Sequence, residues 1–198
     1  MDPLLAKISR RTEARALIRA LSDAERVRQA NALTHRIVTS PDWSAAQRIL
    51  LFVPLPDEID LKLLLALSLN AGKVVGLPAF DLPSGTYRVR EVKNLTQDLI
   101  PGRFQVPEPS AQCPPIDITK LDYALVPGLA FDDRGGRLGR GKGFYDRLLA
   151  HASGLRCGVG FNEQIGPAIP IEAHDLTMHR ILTAAQFYDC LRPHCPPC

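Results

Sequence analysis

The residues best suited to chemistry lie in one glycine-rich, basic stretch, VPGLAFDDRGGRLGRGKGFYDR, at residues 126–147. Its glycines allow backbone N–H groups to approach an anion in conformations that are closed to other residues. Its central part adds three full positive charges, from Arg137, Arg140 and Lys142. We therefore predict that this stretch binds the phosphate groups of a ligand. The alternative, a surface turn whose charges are only solvated, remains open from these residues alone.

The sequence at the two ends of this stretch predicts the secondary structure that positions it. An apolar run at residues 123–126 has the pattern of a buried strand end. From Phe144 onward the apolar residues recur four apart, which is the spacing of a helix. The order strand, glycine-rich loop, helix places the free N–H groups of a helix N-terminus beside the loop, where they favour an anion. This context favours phosphate binding over the solvated turn.

The stretch resembles the phosphate-binding pattern G-x-x-x-x-G-K-[ST] without matching it. Gly136, Gly141 and Lys142 fit the pattern, but Gly143 stands where a Ser or Thr hydroxyl would bind magnesium. A metal ion would need another ligand, and Asp146 lies three residues on, in the first turn of the predicted helix. Asp146 could instead only complement the helix dipole.

Length and composition describe an ordinary single-domain protein. The chain has 198 residues, 45% of them apolar and 23% charged, which is typical of a domain with its own core. Its apolar runs are too short to cross a membrane, and residues 1–20 lack the apolar centre of a signal peptide. The net charge is +3, but residues 1–36 hold eight Lys and Arg against four Asp and Glu. This basic end could serve a phosphate ligand, a nucleic acid or neither.

Five cysteines and a proline-rich end indicate a reducing compartment and a separate tail. The number of cysteines is odd and no secretion signal precedes them, so we predict a cytoplasmic protein. Cys195-Pro-Pro-Cys198 has the form C-x-x-C, with a further Cys and a His nearby. The two prolines in this motif favour a loose tail over a zinc or redox site. We therefore predict one domain at residues 1–191, followed by a tail at residues 192–198.

Hydrophobic periodicity predicts alternating strands and helices. The strands are predicted at residues 48–54, 73–77, 87–92, 122–126, 155–161 and 180–186. The helices are predicted at residues 3–20, 22–38, 61–69 and 144–151. The succession of strand, helix and strand is a parallel crossover unit, and residues 100–119, with five prolines, form an irregular connector. We expect an α/β fold with a mixed, mostly parallel sheet and helices on both faces.

Five motifs in order give the chain a resemblance to the 5-formyltetrahydrofolate cyclo-ligase family, also called methenyltetrahydrofolate synthetases. The central motif is RLGRGKGFYDR after VPGLAFD. The others are Lys7 and Arg11 in a K-x-x-x-R spacing, the loop PLPDEID, Val106-Pro-Glu108-Pro109, and Pro170-x-x-x-His174-Asp175. The resemblance covers nearly the whole chain except the tail. The fold that it implies is three-layer α/β/α and Rossmann-like, related to sugar-phosphate isomerases and CoA-transferases.

The resemblance implies an ATP- and Mg²⁺-dependent ring closure. In the family, 5-formyltetrahydrofolate is converted to 5,10-methenyltetrahydrofolate, with release of ADP and phosphate. The formyl oxygen attacks the γ-phosphate of ATP, N10 of the folate attacks the resulting iminium phosphate, and phosphate leaves. An amide-like oxygen is a poor leaving group until it is phosphorylated, which explains the need for ATP. We expect a monomer that binds these small molecules and neither nucleic acid nor membrane.

Carried over to this sequence, the resemblance assigns roles to individual residues. Lys142 and Tyr145 would be catalytic, with Lys142 nearest the phosphoryl group that is transferred. Val53 and Glu58 would contact the folate, because a carboxylate suits the N–H donors of a pterin edge. The residues that would bind ATP are Lys7, Arg11, Arg137, Leu138, Gly139, Arg140, Gly141, Lys142, Gly143, Phe144 and Tyr145.

Two carboxylates complete the implied site. Asp146 and Asp175 would hold Mg²⁺, a hard ion that prefers oxygen ligands. Taken without the resemblance, several of these residues have simpler interpretations. Asp175 could belong to a capped turn, Lys7 and Arg11 could be a solvated helix face, and Glu58 could be a loop charge.

The chain departs from the family pattern at two aromatic positions. The family usually has two tyrosines before the Asp, whereas Phe144-Tyr145 keeps only the second hydroxyl. Tyr87 stands where the family often places a methionine. Because both changes keep an apolar ring or chain in place, they leave the implied activity intact and put the lining of the folate pocket in doubt.

The alternative to an enzyme is a binding module that holds RNA or a phosphorylated ligand without turnover. A related alternative is a divergent family relative that binds nucleotide but has lost the cyclo-ligase activity. Nucleic-acid binders usually interleave aromatic residues with basic ones and carry a larger excess of charge than +3, and aromatics here are only 6%. The distinguishing feature is whether Glu58, Lys142, Asp146 and Asp175 converge on one cleft. A binding module has no need of the three acids there.

Overall fold

A seven-stranded sheet runs through the centre of the computed structural model, which describes residues 3–172 and 174–191. The helices are α1 (Pro3–Ala20), α2 (Asp23–Val38), α3 (Pro41–Ala45), α4 (Lys62–Asn70) and α5 (Phe144–Leu148). The strands are β1 (Arg48–Leu50), β2 (Val74–Asp81), β3 (Thr86–Val92), β4 (Leu99–Pro101), β5 (Pro107–Pro109), β6 (Tyr123–Pro127), β7 (Ala130–Phe131), β8 (Arg137–Leu138), β9 (Leu155–Val159), β10 (Arg180–Leu182) and β11 (Phe187–Asp189).

The strand order of the main sheet is β11-β10-β9-β6-β1-β2-β3. The five central strands are parallel to their neighbours, and the edge strands β3 and β11 are antiparallel. Parallel neighbours require crossover connections, and α4 supplies the one between β1 and β2. The predicted mixed, mostly parallel sheet is thereby confirmed, and the strand predicted at residues 87–92 is β3, at one edge of that sheet.

Successive side chains of each central strand enter different hydrophobic clusters, because they point to opposite faces of the sheet. In β1, Ile49 packs with α1 to α4, whereas Leu50 packs with α5 and the surrounding loops. In β6, Leu125 belongs to the first cluster, and Ala124 and Val126 belong to the second. Both faces are therefore covered, which gives three layers. The layer that contains α5 has one short helix and is otherwise built from loops.

The helix at the basic end of the chain ends where the sequence predicts. α1 covers residues 3–20, and α2 begins after Ser22, whose Oγ accepts a hydrogen bond from the N–H of Glu25 at 3.2 Å. Ser22 and Glu25 have the spacing of a capping box, but only this half of it forms, because the Glu25 carboxylate accepts from Arg28 and Gln29. Acidic residues in the first turn of α2 and basic ones in its last turn complement the helix dipole.

Several strand and helix ends differ from the predicted ones. β1 ends at Leu50 rather than residue 54, because the chain leaves the sheet after Leu51 donates to Gly76 O at 2.9 Å, and Pro54 has no N–H to continue. α5 ends at Leu148 rather than residue 151. The connector predicted at 100–119 contains part of the β4–β5 hairpin. The β7–β8 hairpin and β11 were not predicted, because runs of two or three residues carry too little periodicity to detect.

The described part of the chain has no helix that is both long enough and apolar enough to cross a membrane. The predicted tail at residues 192–198, with Cys195 and Cys198, lies outside the described residues.

Candidate active site

The predicted site residues lie at the carboxyl edge of the sheet. β1 leads into the loop that carries Glu58, and β6 leads into the glycine-rich stretch. Because β1 and β6 are parallel neighbours, these two connections leave the sheet side by side. Ligands of open α/β sheets collect at this edge. The topology therefore places the two predicted binding segments next to each other.

The first part of the glycine-rich stretch is a hairpin turn between β7 and β8. Asp132 is 2% exposed, and its carboxylate accepts hydrogen bonds from the N–H groups of Arg134 at 2.9 Å, Gly136 at 2.8 Å and Ile169 at 2.8 Å. Gly135 has φ +90°, in the left-handed region that favours glycine. Gly136 fits the first position of the G-x-x-x-x-G-K pattern, but its N–H stabilises the hairpin turn through Asp132 and is not available to a phosphate.

The part of the stretch that remains open to a ligand begins at Gly139. Gly141 and Gly143 have φ +92° and +55°. The Nε of Arg11 donates to Gly139 O at 3.0 Å, and its guanidinium carbon lies 3.4 Å from where a Cβ on Gly141 would stand. Helix α1 thus presses a predicted ATP-binding arginine directly against the predicted ATP-binding loop, which we name the glycine loop (residues 139–143).

Lys142 occupies the centre of the glycine loop. Its side chain is exposed, and the structure records no hydrogen bond or ion pair between it and any described residue. Lysine ammonium groups on flexible stems bind phosphate as mobile point charges. Lys142 is therefore a cation that is available to a ligand without first breaking an internal contact.

Lys7 brings the predicted ATP-binding and metal-binding residues together. Its Nζ donates to Glu172 Oε2 at 2.6 Å and to Asp175 Oδ2 at 2.7 Å, and its side chain is 9% exposed. Burial acts to lower the pKa of Lys7, but the two carboxylates outweigh it and raise that pKa above its ordinary value. The pKa of Asp175 is lowered, because hydrogen bonds from Lys7 and the Glu172 N–H outweigh its burial. Lys7 and Asp175 are therefore both charged at neutral pH.

A possible metal-binding group adjoins Lys7. Potential ligand atoms of Glu172, His174 and Asp175 lie within 4.8 Å of one another. Two carboxylates fit Mg²⁺, whereas an imidazole is a poorer ligand for that ion. Glu172 was not predicted as a site residue, since a glutamate in a proline-rich loop carries no distinguishing pattern.

Asp146, the second predicted metal ligand, is held beside this group. One Nη of Arg137 contacts both of its carboxylate oxygens, at 3.0 and 2.9 Å, and the N–H of Leu176 donates to it at 3.1 Å. Leu176 follows Asp175 in the chain, so the two predicted metal ligands lie in adjoining positions. Arg137 is 4% exposed, and its ion pair with Asp146 leaves less of its charge for a ligand.

Glu58 lies on the other side of the glycine loop. Its carboxylate accepts from the Leu55 N–H at 3.0 Å and from Arg140 at 3.4 Å, and Arg140 also pairs with Asp57. Burial raises the pKa of Glu58, and the Leu55 and Arg140 contacts oppose that rise. Arg140 therefore joins the glycine loop to the loop that carries Glu58, and Asp57 is a site contact that the sequence did not distinguish from Glu58.

Four aromatic rings extend from the glycine loop to the edge strand β3. They pack edge to face, with centroid distances of 4.8 Å for Tyr145–Phe144, 4.4 Å for Phe144–Tyr87 and 5.2 Å for Tyr87–Phe80. We call this set the aromatic row. Burial, and next the charge of Glu58, raise the pKa of the Tyr145 phenol far above its ordinary value. Tyr145 is thus a neutral hydrogen-bond donor near Glu58, and Phe80 was not predicted as part of this surface.

Two predicted site residues direct their side chains into the core. Leu138 is 2% exposed and belongs to the main hydrophobic cluster, so it could meet a nucleotide only through its backbone. Val53 is half-buried and packs against the same cluster.

The contacts of the three acids bear on the choice between an enzyme and a binding module. Glu58 contacts Arg140, and Asp146 lies three residues after the glycine loop and accepts a hydrogen bond from Leu176, the residue after Asp175. Glu58 therefore contacts the glycine loop, Asp146 closely follows it in the chain, and Asp175 adjoins Asp146. Their convergence with Lys142 on one cleft stays a prediction.

Comparison with known sequences decides the family. The profile of the 5-formyltetrahydrofolate cyclo-ligase family matches residues 5–184. The chain belongs to this family. A mouse relative named 5-formyltetrahydrofolate cyclo-ligase is 30% identical over 188 residues, which cover 89% of this chain and 93% of the relative. A relative of the same name from Escherichia coli is 26% identical over 175 residues, covering 86% of this chain and 96% of the relative.

Solved structures of family members share the fold. The structure of 5,10-methenyltetrahydrofolate synthetase from Aquifex aeolicus superposes with a TM-score of 0.85 at 27% identity, covering 96% of each chain. A synthetase of the same name from Mycoplasma pneumoniae has a TM-score of 0.71 at 17% identity and supports the fold alone. The resemblance drawn from five motifs is confirmed as family membership.

Proposed function

We propose that this family member is an ATP-dependent ligase that closes 5-formyltetrahydrofolate to 5,10-methenyltetrahydrofolate at the site around the glycine loop. The observation that supports it best is the chain of contacts that joins the predicted phosphate, metal and folate residues. Arg11 contacts the glycine loop, Lys7 contacts Asp175, and Arg140 contacts Glu58. A site of this kind can hold a phosphoryl donor and an acceptor side by side.

The phosphate groups of ATP would bind at the glycine loop. Its backbone between Gly139 and Gly143 is accessible, and Lys142 and Arg11 supply positive charge. Because phosphoryl transfer needs mainly positioning and charge neutralisation from a protein, these groups are sufficient for the protein's part. Lys142 would contact the γ-phosphoryl group, since its ammonium has no ion-pair partner among the described residues.

Mg²⁺ would bind beside Lys7. Asp175 and Glu172 supply carboxylate oxygens that fit this ion, and Asp146 adjoins them through Leu176. When bound, the ion would neutralise charge on the ATP phosphates. In its absence Lys7 pairs with both carboxylates, so Mg²⁺ and Lys7 would have to share these oxygen atoms.

The pterin would bind between Glu58 and the aromatic row. The Glu58 carboxylate suits the N–H donors of the pterin edge, and the rings of Tyr145, Phe144 and Tyr87 suit its flat faces. The raised pKa of Tyr145 keeps its phenol protonated. Tyr145 would therefore donate a hydrogen bond to an oxygen of the reacting groups and would not act as a base.

The proposed reaction has two steps. The formyl oxygen bonds to the γ-phosphorus of ATP, the bond from that phosphorus to the β–γ bridging oxygen breaks, and ADP leaves. N10 of the folate then bonds to the formyl carbon, loses its proton, and the carbon–oxygen bond breaks to release phosphate. Arg11, Lys142 and the loop N–H groups would stabilise charge on the transferred phosphoryl group. The product is the methenyl cation with a closed ring.

The direct test is to mix the purified protein with 5-formyltetrahydrofolate, ATP and Mg²⁺ and to follow the near-ultraviolet absorbance of the methenyl product. We expect a rise that requires both ATP and Mg²⁺. Lys142→Ala should lower kcat/KM by about 100-fold or more, as the loss of a transition-state charge contact does. Lys142→Arg, which keeps the charge, should retain more activity.

Lys62→Ala serves as the matched control, because Lys62 is an exposed lysine on α4 whose one recorded ion pair among the described residues is with Asp60. It should leave kcat/KM unchanged. No absorbance change with a folded, ATP-binding protein would reject the ring-closure proposal and favour the nucleotide-binding relative. The monomeric state and the cytoplasmic location stay predictions, which light scattering and cell fractionation would test.

A further inference from the structure

A cavity of about 580 Å³ lies at the far end of the aromatic row, away from Glu58. It opens between the end of β2, the edge strand β3 and the β4–β5 hairpin. Its lining includes Phe80, Asp81, Arg90, Arg103, Glu108 and Pro109. Glu108 and Pro109 belong to the motif Val106-Pro-Glu108-Pro109, the other four belong to none of the five motifs, and the resemblance assigns a role to none of the six. The volume is in the range of small-molecule sites.

Most charged groups in this lining already have partners. Glu108 is 9% exposed and accepts from the N–H groups of Phe80 at 2.8 Å and Arg103 at 3.0 Å, and from the Tyr87 hydroxyl at 3.4 Å. Asp81 pairs with Arg88 at 3.3 Å. Both carboxylates are therefore satisfied, and a cation has no unpaired acid to bind here.

Arg90 also has hydrogen-bond partners within the protein. Its Nη1 donates to the carbonyl oxygens of Ala111 at 3.2 Å and Cys113 at 2.7 Å. These bonds hold the segment after β5 against β3. Arg90 therefore contributes positive potential to the cavity and has little freedom to move toward a ligand.

The guanidinium of Arg103 differs from these groups. It lies over the face of the Phe80 ring, 3.9 Å from the centroid, and the structure records no hydrogen bond or ion pair from it to any described residue. A stacked guanidinium is held in orientation while its edge keeps all of its N–H donors. Such an edge matches a carboxylate, which it can bind through two parallel hydrogen bonds.

The aromatic row connects the neighbourhood of Glu58 at one end to Arg103 and the cavity at the other. Glu58 lies near Tyr145, the aromatic row follows, and its last ring, Phe80, lies beneath Arg103. A folate has the same order of groups: a pterin with N–H donors, an aromatic aminobenzoyl ring, and a glutamate with carboxylates. Placing the pterin at Glu58 directs the glutamyl end toward Arg103.

We propose that the cavity is the subsite for the glutamyl part of the folate substrate, and that Arg103 binds a glutamyl carboxylate there. This proposal rests on the proposed function, because it takes the folate as the ligand of the aromatic row. Glu108 is the positioning residue of this subsite, since it fixes the Arg103 backbone and the Tyr87 ring. The cavity has room for more than one carboxylate, so it would also admit the start of a longer glutamyl chain.

The test compares two substrates that differ only in the glutamyl group, 5-formyltetrahydrofolate and 5-formyltetrahydropteroate. Arg103→Ala should raise KM for the folate by about 10-fold to 100-fold, the range expected for a lost charged hydrogen bond. It should leave kcat, KM for ATP and KM for the pteroate compound unchanged. Arg103→Lys keeps the charge without the planar fork and should give an intermediate KM for the folate.

Arg48→Ala is the matched control, because Arg48 is an exposed arginine at the start of β1, the end of the strand opposite to the site. Equal increases in KM for both compounds in Arg103→Ala would overturn the proposal in favour of a packing role on Phe80. An unchanged KM for both compounds would also overturn it. Calorimetric titration of the two compounds without ATP gives the same comparison without turnover. If the unaltered protein binds but converts neither compound, the proposed reaction fails while this binding comparison still decides the subsite.

Discussion

Replacing Asp132 should destabilise the protein far more than replacing an ordinary surface aspartate. The Asp132 carboxylate is 2% exposed and accepts three backbone hydrogen bonds, two within the β7–β8 turn and one from Ile169. Hydrogen bonds to a charged group each contribute about 1.5–3 kcal/mol, and three that share one carboxylate add less than fully. We expect Asp132→Ala to lower the free energy of unfolding by about 3–5 kcal/mol, a large part of the total of about 5–15 kcal/mol.

The measurement is urea unfolding, followed by circular dichroism, of Asp132→Ala beside Asp117→Ala. Asp117 is the matched control because its carboxylate also accepts from a backbone N–H, that of Thr119, but is exposed to water that can replace it. Asp132→Asn should fall between the two, because its amide group can accept from the turn but presents N–H donors to a donor at Ile169. If Asp132→Ala and Asp117→Ala shift the urea midpoint of unfolding equally, the three buried hydrogen bonds of Asp132 do not contribute the stability expected of them.

Three further predictions concern the site. Burial raises the pKa of Glu58, so its ionisation opposes folding as pH rises. The thermal stability of Glu58→Gln relative to the native protein should therefore increase from about pH 5 to about pH 8, and its KM for the folate should be higher. A stability difference that stays equal or falls over this range would contradict this. Gly141→Ala should lower the free energy of unfolding by about 1–2 kcal/mol, because position 141 has a left-handed backbone, and it should raise KM for ATP. Gly72 also has a left-handed backbone but lies in open space away from the glycine loop, so Gly72→Ala should lower stability without changing KM for ATP. Burial and Glu58 hold the pKa of Tyr145 far above its ordinary value, so Tyr145→Phe should keep the shape of the kcat profile between about pH 7 and about pH 10; loss of a high-pH limb in the variant would show that the phenol ionises.

The sequence was sufficient for the site where its residues are close together in the chain. The stretch from Arg137 to Asp146 combines glycines, cations and an acid in ten consecutive positions, so its chemistry is visible without a fold. The adjacency of the Glu58 loop to this stretch comes from the pairing of β1 with β6, and the sequence did not predict that strand order. The part that needed the structure is the pairing of Lys7 with Glu172, since neither residue carries a pattern that names its partner.

The sequence was insufficient where the outcome depends on short range geometry. Gly136 fits a phosphate pattern by type and spacing, but the buried Asp132 carboxylate takes its N–H for a turn. Arg103 and Phe80 lie 23 positions apart, one in the predicted connector and the other beyond the strand predicted at residues 73–77, and the β4–β5 hairpin brings them into contact. A cavity between a hairpin and an edge strand leaves no periodic signal in either.

The ion pairs of Lys7 have a consequence for how the protein is made. Lys7 contacts residues that are 165 and 168 positions later in the chain. During synthesis the first helix emerges long before either acid, so its lysine has neither carboxylate partner at this site until residues 172 and 175 have been made. The central strands can pair earlier, because β1, β2 and β6 are all made by residue 127. The proposed nucleotide site therefore assembles later than the centre of the sheet, and a chain interrupted before residue 172 would have a glycine loop but neither acid partner for Lys7.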